Sequence, residues 1–418
     1  MFHVEQKPVG FLTARWRTLC TDLGTLRPHS LCLLRLRRLS VTQFRAHRDS
    51  QLEAAPGVNL LVGPNGAGKT NLLEATAYLC LGKSVLGAPD ATVVQRGAPY
   101  FVVEGEFEGR TRSEIRIRVA LVPGEGKRAF VNGAPLERLS GLVGLVPLVV
   151  LSPDDRDLTG GGPLERRRLL DATLSQAFPV YLDDVLKYRR ALKQKNALLQ
   201  QLRRGHAVAP GTTDAWDEEL AVLGGRVVSR RREFLVTFGD LLGQAHELLG
   251  SPGGLPSLEY QPSSGVASGA AAEDDAESLR RELARTRRQS VRLGRTLVGP
   301  HLDEVAFRID GFDVRPYASQ GQHRTFALAV RVAQALYLKA RTDEPPILLL
   351  DDVFGPLDPD RTRVVLDLLS SQQLGQSFVT AARAEPFEGV VPFDTPAHSA
   401  FHVEQGTICL AHLASDAP

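Results

Sequence analysis

The sequence predicts an α/β fold: a nucleotide-binding head built on a mixed sheet with an antiparallel subdomain, interrupted by a mostly helical arm. Three observations carry this. A glycine-rich loop, Gly63-Pro64-Asn65-Gly66-Ala67-Gly68-Lys69-Thr70, follows a short apolar strand and opens a helix. A second apolar strand, Ile347 to Leu350, ends in Asp351 and Asp352. Between them the pattern is long, charged and helical, from Pro163 to about Leu249 and again from Glu273 to about Arg292.

Taken in chain order, residues 1–30 show no sustained period and are read as an extension, flexible or lying before the native start. Phe2-His3-Val4-Glu5-Gln6 recurs as Phe401-His402-Val403-Glu404-Gln405. Strand-like segments begin at Leu31. Val58 to Val62 reads as a buried strand, and Asn71 to Leu81 as the helix after the loop. Tyr100 to Phe107, Ser113 to Leu121 and Arg128 to Val131 alternate in polarity, as an antiparallel meander with one wet face does. The Pro/Gly/Ser/Ala-rich stretch Ser251 to Ala272 reads as a mobile loop. The expected organisation is an extension over 1–30, head over 31–175, arm over 176–293 and head again over 294–418.

The loop fits G-x-x-x-x-G-K-[ST] in the context that motif requires. Glycines let the backbone aim N–H groups at phosphate oxygens, and the helix that follows points its positive end at the same charge. Lys69 is expected to bridge the terminal phosphates of ATP, and Thr70 to place its hydroxyl on Mg²⁺. Asp351 is then the metal-side carboxylate. Asp352 is the candidate base for the attacking water, one methylene shorter than a Glu, so slow hydrolysis is expected. Ser319-Gln320-Gly321-Gln322 opens a long apolar helix running through Arg341. A Ser-x-Gly-Gln turn at a helix N-terminus suits an anion, and it also suits plain helix capping.

With the two other motifs in order, that turn resembles the signature of ABC-type ATPases, and the whole is a P-loop, ABC/SMC-like ATPase head. From about Leu33 to Leu410 the chain resembles the bacterial RecF family. The resemblance rests on Gln43-Phe44-Arg45, on GPNGAGKTNLLEA from Gly63, on SPDDRDLTGGGPLERRRLLD from Ser152, on RTLVGPHLDEVAF from Arg295, and on ASQGQHRTFALAV and ILLLDDVFGPLDPDR. It implies a nucleotide set of Gly63 to Thr70 with Asn71 and Arg45, and a D-loop at Asp358. It implies a catalytic set of Lys69, Asp352 and Thr380, with Ser319 to Gln322 acting on the partner head's ATP. It also implies an ATP-dependent homodimer that clamps gapped or junction DNA with weak, DNA-stimulated hydrolysis. That dimer would work with RecR and RecO in gap repair and SOS induction.

Composition narrows the alternatives. Net charge is only +2, so charge alone does not announce a DNA binder. Most of the positive charge is arginine. Arg166 to Arg168, Arg189, Arg190, Arg203, Arg204 and Arg230 to Arg232 are candidate phosphate contacts. Each is read first as a solvated helix face, because acids such as Asp183, Asp184, Asp217, Glu218 and Glu219 are interleaved. Four scattered cysteines without a C-x-x-C pair argue against a zinc hook and for a reduced, cytoplasmic setting. No apolar run is long enough for a bilayer, so no membrane partner is expected. An ABC transporter subunit would have a shorter insert between Lys69 and Ser319. A structural SMC-type protein would have longer heptad arms, and an overcoming-lysogenization-type nuclease would need an acidic metal domain that the tail after Ala384 has no room for.

Overall fold

The computed structural model describes residues 34–110, 114–206, 209, 211–250, 254–264, 272–355 and 357–411. The first copy of the recurring pentapeptide, the 1–30 extension and Pro356 lie outside them. The described residues belong to one compact unit.

The chain opens with β1 (Arg35–Phe44), β2 (His47–Glu53) and β3 (Val58–Val62), followed by α1 (Lys69–Leu81). Next come β4 (Phe101–Glu108), β5 (Ile115–Val122), β6 (Gly126–Val131), β7 (Ala134–Pro135) and β8 (Leu148–Leu151). The helical part is α2 (Arg156–Gly160), α3 (Pro163–Ala177), α4 (Pro179–Arg203) and α5 (Thr212–Leu248), then β9 (Pro256–Gln261) and α6 (Ala272–Leu293). The chain returns through β10 (Glu304–Ile309), β11 (Phe312–Asp313), α7 (Val314–Tyr317), α8 (Gln320–Thr342), β12 (Ile347–Asp351) and α9 (Pro359–Ser370). It closes with β13 (Ser377–Ala381), β14 (Ser399–Glu404) and β15 (Thr407–Leu410).

Two six-stranded sheets enclose α1. One is an antiparallel meander in the order β2-β1-β4-β5-β6-β7. Its strands alternate buried and wetter positions, as β4 does along Phe101, Val103, Gly105 and Phe107, which is why its sequence reads with period two. The other has the order β15-β14-β3-β13-β12-β8 and is parallel except for its β15 edge. Its central strands are covered on both faces. Leu61, Leu349 and Phe378 face the cluster containing α1, and Leu60, Leu348, Leu350 and Val379 face the cluster containing α8. Double burial explains the unbroken apolar runs in β3 and β12. Phe44, Tyr78 and Phe101 meet edge to face at 5.1 to 5.6 Å and fix α1 against the meander.

The helical segment is joined to the head by shared core. Phe234 of α5 lies 4.7 Å, ring to ring, from Tyr337 of α8. A smaller cluster with Tyr188, Leu220, Leu279 and Leu283 holds α4, α5 and α6 to one another. The stretch read as a mobile loop contains an ordered strand: β9 pairs antiparallel with β10, Tyr260 opposite Val305. Composition hid it, because only the six residues of β9 carry the alternation.

Candidate functional site

The site assembles at the C-terminal ends of three adjacent parallel strands, where such sheets present their crevices. β3 delivers the loop Gly63 to Thr70, β12 delivers Asp351 and Asp352, and β13, lying between them, delivers Thr380.

The loop is open on one side and packed on the other. Pro64, Asn65 and Gly66 are exposed, whereas Gly63, Ala67 and Gly68 are buried. A Cβ on Gly63 would lie 2.1 Å from the Val403 carbonyl oxygen, so only glycine fits. Gly68 caps α1 in the left-handed region with φ 107°. Lys69 Nζ donates to the Gly63 and Pro64 carbonyl oxygens at 2.6 and 2.9 Å, across the mouth of the loop. Partial burial lowers its pKa, opposed by the nearby Asp352 and Asp351 carboxylates.

Asp351 is the meeting point. Its Oδ1 accepts from Thr70 Oγ1 at 2.8 Å and from Thr380 Oγ1 at 2.8 Å. The Asp352 N–H in turn donates to Thr380 Oγ1 at 3.0 Å. Asp352 is exposed and left-handed at φ 48°, so its side chain leaves the strand on the solvent side. Thr70 and Asp351 are hard oxygen donors that fit Mg²⁺. Among the described residues there is no cluster of three or more His, Cys, Asp or Glu that could cage a metal.

Ser319 to Gln322 are exposed at the start of α8. Ser319 Oγ accepts from the Gln322 N–H at 3.2 Å, and Gln322 Oε1 accepts from the Ser319 N–H at 2.8 Å. The turn is therefore a full capping box that still presents a helix N-terminus to solvent. Asp358 caps α9, accepting from the Arg361 N–H at 2.9 Å. Asn71 lies in the first turn of α1, its N–H bonded to the Gly68 carbonyl at 3.0 Å.

Arg45, expected at the nucleotide, is engaged within the chain. Its guanidinium clasps Glu74 with bonds of 2.8 and 3.0 Å and reaches the Thr92 carbonyl at 3.2 Å. Glu74 is fully buried on α1, so the pair joins the β1–β2 turn to that helix. Most of the candidate DNA arginines also have structural partners. Arg166 is buried on Glu304 with bonds of 2.8 and 2.9 Å. Arg231 is buried between Asp171 Oδ1 at 2.9 Å and the Pro300 carbonyl at 2.7 Å. Arg167 donates to the Asp303 carbonyl, and Arg168, Arg189, Arg230 and Arg232 pair with Glu165, Asp171, Glu233 and Asp275. Arg203 reaches the Leu293 carbonyl at 3.4 Å, while Arg190 and Arg204 are exposed on α4 and just past its end.

Sequence reasoning missed the residues that back the loop. His47 and Ser50 on β2, and Val403 and Gly406 of the β14–β15 hairpin, line its buried side. The one signal available was Gln405-Gly406, a two-residue hairpin turn with φ 48° and 77°.

Comparison with known proteins gives a consistent result. The family model described as RecF/RecN/SMC N terminal domain matches residues 35–407. A "DNA replication and repair protein RecF" of Salinibacter ruber (strain DSM 13855 / M31) is 48% identical over 373 residues, 89% of this chain and 90% of its own length. A protein of the same description from Chloroherpeton thalassium (strain ATCC 35110 / GB-78) is 39% identical, over 85% of this chain and 97% of its own. Among solved structures, one described as the recombination mediator protein RecF-ATP in the RecFOR pathway superposes with a TM-score of 0.84 at 29% identity, covering 93% of this chain and all of that one. The Smc head domain from Pyrococcus furiosus, at 16% identity and a TM-score of 0.53, shares the fold over 91% of this chain and 97% of its own.

Proposed function

The chain belongs to the RecF family, and we propose that it is an ATP-dependent DNA-binding mediator of replication and repair whose two heads close on ATP and open on hydrolysis. The observation that carries this reading is the convergence on Asp351: Thr70 of the loop and Thr380 of β13 both donate to one oxygen of the acid at the end of β12.

In this reading the N–H groups of Gly66 to Thr70 bind the ATP phosphates, with Asn71 in the turn behind them. Lys69 leaves the loop carbonyls for the terminal phosphates. Thr70 and Asp351 would hold Mg²⁺, which would supply positive charge against the phosphates. Asp352 orients and deprotonates the attacking water, and Thr380 fixes both acids. Ser319 to Gln322 complete the partner head's site, their exposed helix N-terminus meeting its γ-phosphate. Asp358, at the adjoining helix cap, links the two sites. Hydrolysis is weak and DNA-stimulated. The DNA is gapped or junction DNA, and the partners are a second copy, RecR and RecO, in the cytoplasm. Among the described residues no helix is long and apolar enough to cross a membrane.

The test is sedimentation with and without ATP and Mg²⁺, with gapped DNA added, comparing wild type and Ser319→Arg. An ATP-driven wild-type dimer that holds DNA, beside a variant that binds ATP and stays monomeric, supports the clamp. If wild type stays monomeric with ATP bound and ignores DNA, the clamp reading fails.

A further inference from the structure

Three turns from distant parts of the chain meet behind the phosphate loop. They are the β1–β2 turn with His47 just after it, the loop itself, and the β14–β15 turn at Gln405-Gly406. The contacts leave almost no slack. A Cβ on Gly68 would lie 2.9 Å from His47 Nε2, and a Cβ on Gly406 would lie 2.2 Å from the Ala46 carbonyl oxygen. The Gly406 N–H donates to the Ala67 carbonyl at 3.0 Å. His47 is fully buried at the centre. Its Nε2 lies 3.0 Å from the Gly68 carbonyl oxygen, and its Nδ1 lies 2.9 Å from Ser50 Oγ and 3.0 Å from the Gly406 carbonyl oxygen.

We infer that His47 is a positioning residue for the nucleotide: Nε2–H holds the Gly68 carbonyl on the outer side of the loop, so that the N–H groups of the same turn face the phosphates. This rests on reading the loop as the ATP site. Gly68 is the hinge of that arrangement. Its carbonyl starts α1 by accepting from Asn71 and Leu72, and its left-handed backbone sets which way the next two N–H groups point. A peptide unit in a glycine-rich turn flips cheaply, so an acceptor-side anchor decides its direction. Ser50 completes the device. The Ser50 hydroxyl, 2.9 Å from Nδ1, donates to the Gly406 carbonyl oxygen at 2.8 Å and so ties the ring to the hairpin, while a carbonyl oxygen 3.0 Å from Nε2 is held only by a ring that carries a proton there. The C-terminal hairpin thereby becomes part of the phosphate site although it supplies no group that touches ATP.

The two ring nitrogens can be tested separately. In His47→Gln the side-chain amide nitrogen reaches the place of Nε2, and in His47→Asn that of Nδ1. Binding of a fluorescent ATP analogue with Mg²⁺ is measured on the full chain, beside thermal melting. His47→Asn should bind about tenfold more weakly, the worth of one lost anchoring hydrogen bond. His47→Gln should stay within about threefold of wild type, with the two variants melting together. Wild-type affinity in His47→Asn, or equal losses in both variants, would show that the ring only fills space and would overturn the inference. Should His47→Asn fail to fold, Ser50→Ala keeps the ring and removes the hydroxyl beside Nδ1; it should weaken binding by about threefold, and unchanged binding overturns the inference. A wild type that binds no nucleotide would sink the ATP-site reading itself, which is a different result from a wild type that binds while His47→Asn binds equally.

Discussion

Thr380 Oγ1 donates to Asp351 Oδ1 at 2.8 Å and accepts from the Asp352 N–H at 3.0 Å. One hydroxyl thus aligns the metal-side carboxylate through its side chain and the candidate base through its backbone. Thr380→Val keeps the shape of a buried strand residue and removes both bonds. ATP hydrolysis in single turnover should fall by roughly ten- to a hundredfold, about 1.4 to 3 kcal/mol of lost alignment. ATP affinity should change by less than about threefold. Thr380→Ser should recover most of the rate.

Asp352→Asn tests the division of labour between the two acids. The side chain is exposed, with its charge acting on nearby Lys69. Hydrolysis should drop on the order of a hundredfold, the usual worth of a general base. On the proposed clamp cycle the ATP-bound dimer should accumulate. Lys69→Ala should instead abolish binding. Sedimentation and phosphate release on the same samples separate the two outcomes; an Asp352→Asn protein that hydrolyses normally removes Asp352 from the mechanism.

Arg45 and Glu74 make a prediction of the opposite kind. Removing the guanidinium leaves a fully buried carboxylate without its cation, although the Ser84 hydroxyl still donates to it. Arg45→Met should lower global stability by about 3 kcal/mol, seen as a fall in Tm, before any effect specific to ATP. The double variant Arg45→Met with Glu74→Gln should regain a large part of that loss. A single variant with native Tm and lost ATP binding would return Arg45 to the nucleotide.

Acid should loosen the joint between the helical segment and the head. Burial, with Arg167 and Lys195 nearby, pushes the His301 pKa down to about 4, against the opposing effects of a Thr296 backbone contact and Asp303. Tyr188 Oη lies 2.7 Å from its Nδ1. The native state keeps this ring neutral while the unfolded chain protonates it near pH 6.5. Stability contributed by the neutral ring is therefore complete above about pH 6.5 and is lost as pH falls toward 4, by about 3 kcal/mol in all. Denaturant melts at pH 7, 5.5 and 4.5 should show this slope in wild type and a shallower one in His301→Gln.

What the sequence disclosed follows from how local each signal is. β3 and β12 were legible because both of their faces are buried, which writes an unbroken apolar run. The phosphate loop was legible because its chemistry demands glycines at fixed spacing. β9 was not legible: its six residues alternate between exposed and half-buried positions within a Pro- and Gly-rich stretch, and only pairing with β10 makes them a strand. Arg166 and Arg231 look in sequence like surface charge. Their burial is decided by Glu304, Asp171 and the Pro300 carbonyl, which the linear pattern does not bring together. His47 failed for the same reason, since its partners Gly68 and Gly406 lie far apart in the sequence and meet only in the fold.

β3 pairs on one side with β13 and on the other with β14. Both neighbours lie far later in the chain than β3 itself. The strand that carries the phosphate loop therefore emerges with two open backbone edges and stays that way through synthesis of nearly the whole chain. A nascent or truncated protein ending before Ser377 exposes an apolar, sticky strand and has no nucleotide pocket. The strand that carries the phosphate loop is thus closed on both edges only once β14 has been made, and the long helical insert is made while the head on either side of it is still unclosed.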